Sequence, residues 1–359
     1  MIGPTGRLAY TLGQTARISW FLGQYAVAAR IGRTAGTGGD RPARARPAGG
    51  SGQRSGQRSG LGGVVRELRE LMLRDLANIE AGYYRPPFGV APSAGRMLAD
   101  AASFFRDLPE VGRRRMSRAG SEVRRMPPPA AAGLPAYYLQ NFHYQTDGYL
   151  SDRSARLYDH QVEVLFGGGA DAMRRHALVP IHHFLRERGV AGKHLLDVGA
   201  GTGRFLTFVK DNYPRLDVTA VDLSAPYLAE ARRRLAPWRG VRLVQAAAEA
   251  LPLAEAGVDV VTSIYLFHEL PRPVRAAAAA EMARVLRPGG LLVLADSIQP
   301  GDRPHFDRML ELFPASFHEP YYADYLRQDI GAPFVEAGLE PVGTDIAFLT
   351  KIMVFRKRT

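Results

Sequence analysis

The 359-residue chain contains no cysteine. Disulfides, zinc–thiolate centres and cysteine nucleophiles are therefore excluded, and the composition suits a reducing, cytoplasmic compartment. A membrane-spanning run is also missing. Arg17 interrupts the apolar stretch 8–31 and leaves only Ile18–Ala29 uncharged, short of the roughly 20 residues that cross a bilayer. That stretch has no small-residue cleavage site, and Arg30 and Arg33 follow it where a secretory signal carries no charge. Metal-ligand spacing is absent too: adjacent His182 and His183 fit no recognised pattern, and no metal is expected. Nor is there a dinucleotide fingerprint G-x-G-x-x-G. Counting from Gly199 puts Arg204 in the third glycine place and counting from Gly201 puts Leu206 there, so NAD is disfavoured.

Acidic residues are scarce in the N-terminal third. The net charge of +12 arises there, where residues 1–130 hold 21 arginines and 9 acids, whereas 26 basic and 26 acidic residues balance in the rest. Such an excess suits an anionic surface, membrane phosphate or nucleic acid, with a solvated extension as the plain alternative. Ile18, Phe21, Leu22 and Tyr25 recur at helical spacing within residues 1–34. Trp20, Tyr25 and the flanking arginines suit a helix lying in a membrane interface, and the same pattern suits a helix packed on its own protein. Residues 35–63 are rich in Gly, Pro, Ser and Arg, with Ser-Gly-Gln-Arg at 51–54 and 55–58, and read as a disordered linker. An amphipathic helix follows from Val64 to Ile79, with Val65, Leu68, Leu71, Met72 and Leu76 on one face. Pro86 and Pro87 stop it, a second helix is expected near 94–107, and Pro127–Pro129 open another linker. The helical extension thus occupies 64–134, a cap or substrate-side segment 135–190, and a larger domain 191–359.

That domain is organised around His-Leu-Leu-Asp-Val-Gly-Ala-Gly-Thr-Gly-Arg at 194–204. A short apolar run of this kind makes a buried parallel strand. The alternate glycines 199, 201 and 203 make a turn that a ligand can approach closely, ahead of a helix whose free N–H groups favour an anion. Asp197 stands two residues before the first glycine. A carboxylate there repels a pyrophosphate and welcomes an ammonium or sulfonium. S-adenosylmethionine carries both cations, and a carboxylate as well.

The D-x-G-x-G-x-G pattern of Asp197–Gly203, with Ala-Val-Asp-Leu-Ser at 220–224, resembles the class I S-adenosylmethionine-dependent methyltransferases. Asp222 ends a second apolar strand 19 residues after Gly203, where a doubly wound fold places the acid that binds ribose hydroxyls. Ser-Ala-Arg-Leu-Tyr-Asp at 154–159 is similar to the cap of the ubiquinone and menaquinone biosynthesis methyltransferases. The resemblance implies an α/β fold: a Rossmann-like, doubly wound, seven-stranded sheet with an antiparallel last strand, here with a helical N-terminal extension. It implies S-adenosyl-L-methionine as cofactor, held by Tyr158, Asp197, Gly199, Gly201, Gly203, Asp222, Leu223, Ala247, Ala248, Ile264 and Tyr265. Ala-Ala-Ala-Glu-Ala-Leu-Pro at 246–252 departs from that group, whose acid reading the adenine is replaced by Ala247. Recognition would then rest on the backbone of Ala247 and Ala248, with Glu249 facing solvent.

Tyr-Leu-Phe-His-Glu-Leu-Pro at 265–271 follows the fourth strand, at the end of the sheet where the transferred methyl belongs. His268, His318 and His143 are candidates for a base, since an imidazole near neutral pKa suffices for a phenol, an enol or an activated carbon. Tyr144 and Tyr149 in the aromatic cap, and Tyr321 and Tyr322 in the insertion before the last hairpin, are candidates on the substrate side. The expected activity is methyl transfer to oxygen or carbon of a small, apolar or aromatic acceptor. Residues 1–60 would meet an anionic membrane at its inner face. An RNA or protein methyltransferase gripping through the basic arm is the second reading, disfavoured by a neutral catalytic half without an Asn-Pro-Pro-Tyr motif. A cofactor-binding regulatory protein without catalysis is the third.

Overall fold

The computed structural model describes residues 2–35, 61–127 and 131–359. Apart from their edges, the linker expected over 35–63 and the proline run at 127–129 lie outside the described residues. Helices α1 (Pro4–Ala35), α2 (Leu61–Glu80), α3 (Ala94–Ser117), α4 (Glu122–Arg125), α5 (Asp152–Leu165), α6 (Ala170–His176) and α7 (Leu178–Arg188) precede the first strand. Strand and helix then alternate through β1 (His194–Val198), α8 (Arg204–Asn212), β2 (Asp217–Asp222), α9 (Ala225–Leu235), β3 (Val241–Gln245), β4 (Val258–Ile264), α10 (Arg272–Val285) and β5 (Leu286–Ser297). The short helices α11 (Asp307–Ser316), α12 (Tyr322–Tyr325) and α13 (Ala332–Glu336) lead to the hairpin β6 (Leu339–Ala347) and β7 (Thr350–Lys357).

The seven strands form one sheet in the order β3-β2-β1-β4-β5-β7-β6. β1 to β5 are parallel, and β7 runs antiparallel to both of its neighbours. This is the doubly wound sheet that the glycine motif implied. Its central strands are buried and mostly apolar because helices cover both faces. Leu195, Val260 and Val293 point into one core with α7 and α8, while Leu196, Val261 and Leu292 point into the other with α10 and α13. The alanines of α10, among them Ala278 and Ala279, let that helix lie close to the sheet. Strand order reverses between β1 and β4, and this switch opens a crevice at the strands' carboxyl ends. β5 begins at Leu286, five residues earlier than the apolar run, because the Arg-Pro-Gly-Gly turn is absorbed as a register slip against Val258–Val260.

The N-terminal extension is built onto this body. α1 buries Tyr10 and Phe21, and α2 buries Leu68, Leu71 and Met72, whereas Val65, expected on the same face, is exposed. Gly168 (φ 87°) permits the approach of α1: a Cβ there would lie 3.2 Å from the Ile18 Cα. Arg17, the residue that interrupts the apolar run, sits at 2.9 Å from both Glu163 and Asp171. Among the described residues no helix is long and apolar enough to cross a membrane.

One buried ion pair ties the two parts together. Asp75 of α2 is fully buried and accepts from Arg175 Nε and Nη2 of α6 at 3.0 and 2.5 Å. Tyr10 of α1 and Tyr84 donate to the same carboxylate at 2.5 and 2.8 Å. Burial by itself would raise the Asp75 pKa, but the Arg175 charge and these hydrogen bonds outweigh it and hold the carboxyl below its ordinary range. A depressed carboxylate stabilises the fold above its unfolded pKa, and the contribution disappears as the pH falls through the folded one. Asp75→Ala, which leaves Arg175 buried without a counter-charge, is expected to cost about 3–5 kcal/mol in urea unfolding at pH 7. The gap between wild type and variant should narrow on acidification below the carboxylate range. A gap independent of pH would contradict the ion-pair account.

Candidate active site

The carboxyl ends of β1, β2 and β4 frame a cleft with about 880 Å³ of empty space, open mouth included. From β1 the chain turns through Gly199, Gly201 and Gly203, at φ 73°, 53° and 72°. The turn is tied to β2. The N–H groups of Gly199 and Ala200 both donate to the Val221 carbonyl at 2.9 Å, and the Gly201 N–H donates to Asp222 Oδ2 at 2.7 Å. A Cβ at Gly199 would lie 2.9 Å from the Leu266 side chain, so the turn has no room for one. Gly203 serves packing instead: its Cβ would meet Leu235 and Ala231 of α9 at 3.0 and 3.1 Å, and it does not line the cleft.

Two acids stand at this turn. Asp222 accepts from the Ser224 N–H at 2.8 Å as well, and burial pushes its carboxyl up. Asp197, 1% exposed, accepts from Thr262 Oγ1 at 2.6 Å, yet burial still pushes it up to about 7. A cation arriving in the cleft would favour the ionised form. On the Tyr158 side the cleft is bordered by Arg174, whose buried guanidinium lies 5.8 Å over the Tyr265 ring. This donor set fits S-adenosylmethionine: Asp222 for ribose hydroxyls, Arg174 for a carboxylate, and Asp197 for positive charge.

β4 and β5 deliver the other end of the cleft. Tyr265 leaves β4 at φ 60°, a left-handed conformation that only a well-packed side chain sustains. Its hydroxyl meets Thr350 Oγ1 at 2.5 Å. A single 3₁₀ turn, Phe267–Glu269, follows. Asp296, at the end of β5, accepts from the Phe267 N–H at 2.7 Å and faces His268 Nδ1 at 2.6 Å. Burial lowers the His268 pKa, but Asp296 reverses this and raises it to about 9, so the ring is an imidazolium at neutral pH. Glu269 lines the cleft and accepts from Tyr149 Oη at 2.5 Å, and burial pushes its carboxyl up. His143 reaches the same place from the cap, its Nε2 3.9 Å from Glu269 Oε1 and its Nδ1 3.1 Å from Glu319 Oε1. Burial lowers the His143 pKa to about 3, which leaves that ring neutral.

Of the residues named from sequence on the cofactor side, Tyr158, Asp197, Gly199, Gly201, Asp222, Leu223, Ala248, Ile264 and Tyr265 line the cleft. Ala247 does not. After β3 the alternate residues Ala246 and Ala248 face inward instead. Glu249 is not a solvent residue: it accepts from Tyr137 Oη at 2.7 Å, and its Oε2 is buried without a partner among the described residues. Of the substrate-side tyrosines only Tyr149 lines the cleft. Tyr144 is buried against His318, Tyr321 donates to the Tyr137 carbonyl, and Tyr322 meets Ser297 Oγ at 2.6 Å. None of the three candidate histidines lines the cleft itself: His268 and His143 stand behind Glu269, and His318 faces Gln140 Oε1 at 3.0 Å. The sequence reading missed Arg174 and Glu319. Neither sits in a motif, and only the folding of α6 and of the insertion onto the sheet brings them to the site.

Residues 195–290 match the family described as methyltransferase domain. The chain is 32% identical over 212 residues to a malonyl-[acyl-carrier protein] O-methyltransferase of Enterobacter lignolyticus, covering 54% of this chain and 70% of that protein. It is 36% identical over 153 residues to a ubiquinone/menaquinone biosynthesis C-methyltransferase of Syntrophotalea carbinolica, covering 42% and 61%. Across other curated relatives the share spanned falls to 33% of their length. A solved S-adenosylmethionine-dependent methyltransferase from Aquifex aeolicus is similar at 21% identity and a TM-score of 0.39, over 51% of this chain and 92% of that one.

Calorimetric titration with S-adenosylmethionine should give an affinity that declines as the pH is lowered through 7, by up to about tenfold per unit, because Asp197 must ionise to meet the cation. Asp197→Asn should bind more weakly at pH 8 and lose this slope. A slope unchanged in the variant assigns the pH effect to another group.

Proposed function

The chain belongs to the class I S-adenosylmethionine-dependent methyltransferases, and we propose that it moves the cofactor's methyl group to an oxygen or carbon of a small, apolar or aromatic acceptor. The observation that carries this reading is the lining of the cleft beyond the glycine turn. Tyr137, Tyr138, Tyr149, Tyr158 and Tyr227 line this space together with the carboxyl group of Glu269. Tyr149 packs edge-on against Tyr158 and Tyr227 at 5.9 and 5.3 Å, a rigid aromatic wall with its hydroxyl turned to Glu269. Such a lining favours flat or apolar matter with one polar atom. The similar proteins named above include an O- and a C-methyltransferase, so they support either atom.

When bound, S-adenosylmethionine supplies an electrophilic methyl on a sulfonium. The protein's own task is to align the acceptor with it and to exclude water. Burial leaves Glu269 a stronger base than an exposed carboxylate, and it takes the acceptor's proton as the new bond forms. His268, already protonated and held by Asp296, stabilises the ionised Glu269 and does not act as the base. Transfer of label from methyl-labelled cofactor to phenols, quinols or carboxylic acids and their thioesters tests the reading. Glu269→Gln should lower kcat by about 10²–10⁴-fold and leave cofactor affinity within a few-fold. Normal cofactor binding with no labelled product across the three acceptor classes would favour a regulatory binding protein instead.

We also infer that α1 meets an anionic membrane, where an apolar acceptor would be concentrated. Leu8 and Leu12 are 60% and 61% exposed, on the face opposite the buried Tyr10 and Phe21. An apolar outer face on a basic helix suits the lipid interface. The chain should co-sediment with vesicles rich in phosphatidylglycerol and not with neutral ones. The double variant Leu8→Glu, Leu12→Glu should stay in the supernatant with its melting temperature unchanged, and equal sedimentation of both proteins would sink the idea.

A further inference from the structure

We propose that His143, Glu269 and Glu319 form a binding site for one divalent transition-metal ion. The three residues come from separate parts of the chain: the cap, the turn after β4, and the insertion after β5. One ligand atom from each lies within 4.8 Å of the other two. Ligands that share a zinc ion at about 2.0–2.2 Å are roughly 3–4 Å apart, so the two glutamate side chains would rotate to bring their oxygens and one His143 nitrogen around a single ion.

The second observation is Glu319 itself. It is 3% exposed, and among the described residues neither of its carboxylate oxygens has a hydrogen-bond donor. Its Oε1 lies 3.1 Å from His143 Nδ1 without forming a hydrogen bond. Buried carboxylates are satisfied in almost every native protein, and an orphan aimed at two other ligand-type groups points to an absent cation. The surroundings agree. Asp296 adds a third carboxyl group within the same cluster, and His268, whose Nδ1 is engaged by Asp296, is the cationic side chain that answers all three. One imidazole with two carboxylates suits Zn²⁺ or Mn²⁺ better than Ca²⁺ or Mg²⁺, whose sites are built from oxygen.

Three protein ligands leave coordination positions for water or for an oxygen of a substrate. Glu269 belongs both to this set and to the lining of the cleft, so the ion would stand at the edge of the space where the acceptor binds. Glu269 would then serve as a ligand, and the ion would lower the pKa of the acceptor's oxygen. The metal site stands whether or not the chain transfers a methyl group, and the two are measured separately.

The test starts from full-length protein stripped with a chelator and dialysed. Calorimetric titration with zinc chloride should give one ion per chain, and Mn²⁺ added to the same protein should lose its free electron-paramagnetic signal in equal stoichiometry. Glu319→Gln and His143→Asn, each compared with wild type by melting temperature without metal, should weaken binding by more than about tenfold. The double variant His182→Asn, His183→Asn removes the histidine pair of α7, away from the proposed site, and should bind as wild type does. Zinc should raise the melting temperature of wild type and not that of Glu319→Gln. Absence of stoichiometric binding overturns the proposal, as does binding kept by Glu319→Gln and His143→Asn or lost in the His182, His183 variant.

Discussion

α6 is seven residues long, every one of them buried, and four carry charge or an imidazole: Asp171, Arg174, Arg175 and His176. A helix of that composition is stable in a protein interior only if each charge finds its partner. Arg175 takes Asp75 of α2, and with it Tyr10 of α1 and Tyr84. Asp171 takes Arg17 of α1 and Arg204 at the first turn of α8. Arg174 is left beside Asp159 and Tyr265, on the border of the cleft. The same short helix therefore fixes the N-terminal extension, the start of the helix after the glycine turn, and one wall of the site. Loss of the extension would expose or orphan charges that also hold the cleft in shape.

The cleft divides into two chemical halves. The glycine turn, Asp197 and Asp222 come from consecutive segments of the sheet, and their geometry is set by backbone hydrogen bonds between β1 and β2. The other half presents Glu269, backed by His268, Asp296, His143 and Glu319 from four separate segments. Asp296 keeps His268 charged, and that charge partly offsets the cost of burying Glu269 and Glu319. Tyr149 bridges the halves: its ring packs with Tyr158 and Tyr227, and its hydroxyl holds Glu269.

The excess positive charge of the N-terminal third looks different once folded. Arg7, Arg17, Arg74, Arg96 and Arg114 each meet an acid, several of them in the neutral C-terminal part. Charge asymmetry along the chain is thus partly a record of which segments dock together. It is not wholly an advertisement for an external anion.

Local physics determined the sheet and the cofactor half of the site from the sequence by itself. Apolar runs buried on both faces have to become parallel strands under helices, and glycines at alternate positions after such a strand have to turn. Asp197 and Asp222 were legible because their roles depend on their distance from those glycines. Tertiary structure alone decided the rest. Gly203 serves the packing of α8 on α9 because of where α9 lies, and Ala248 rather than Ala247 faces inward because of how the chain leaves β3. His318, equal to His268 as a sequence candidate, is spent on Gln140, while Glu319 one residue later is driven into the acidic cluster. Adjacent residues at a bend point to opposite sides, and no spacing rule can choose between them. Arg174 and Glu319 carry no local signature, since what makes them chemical is the burial and the neighbours that separate segments of the chain supply when they pack.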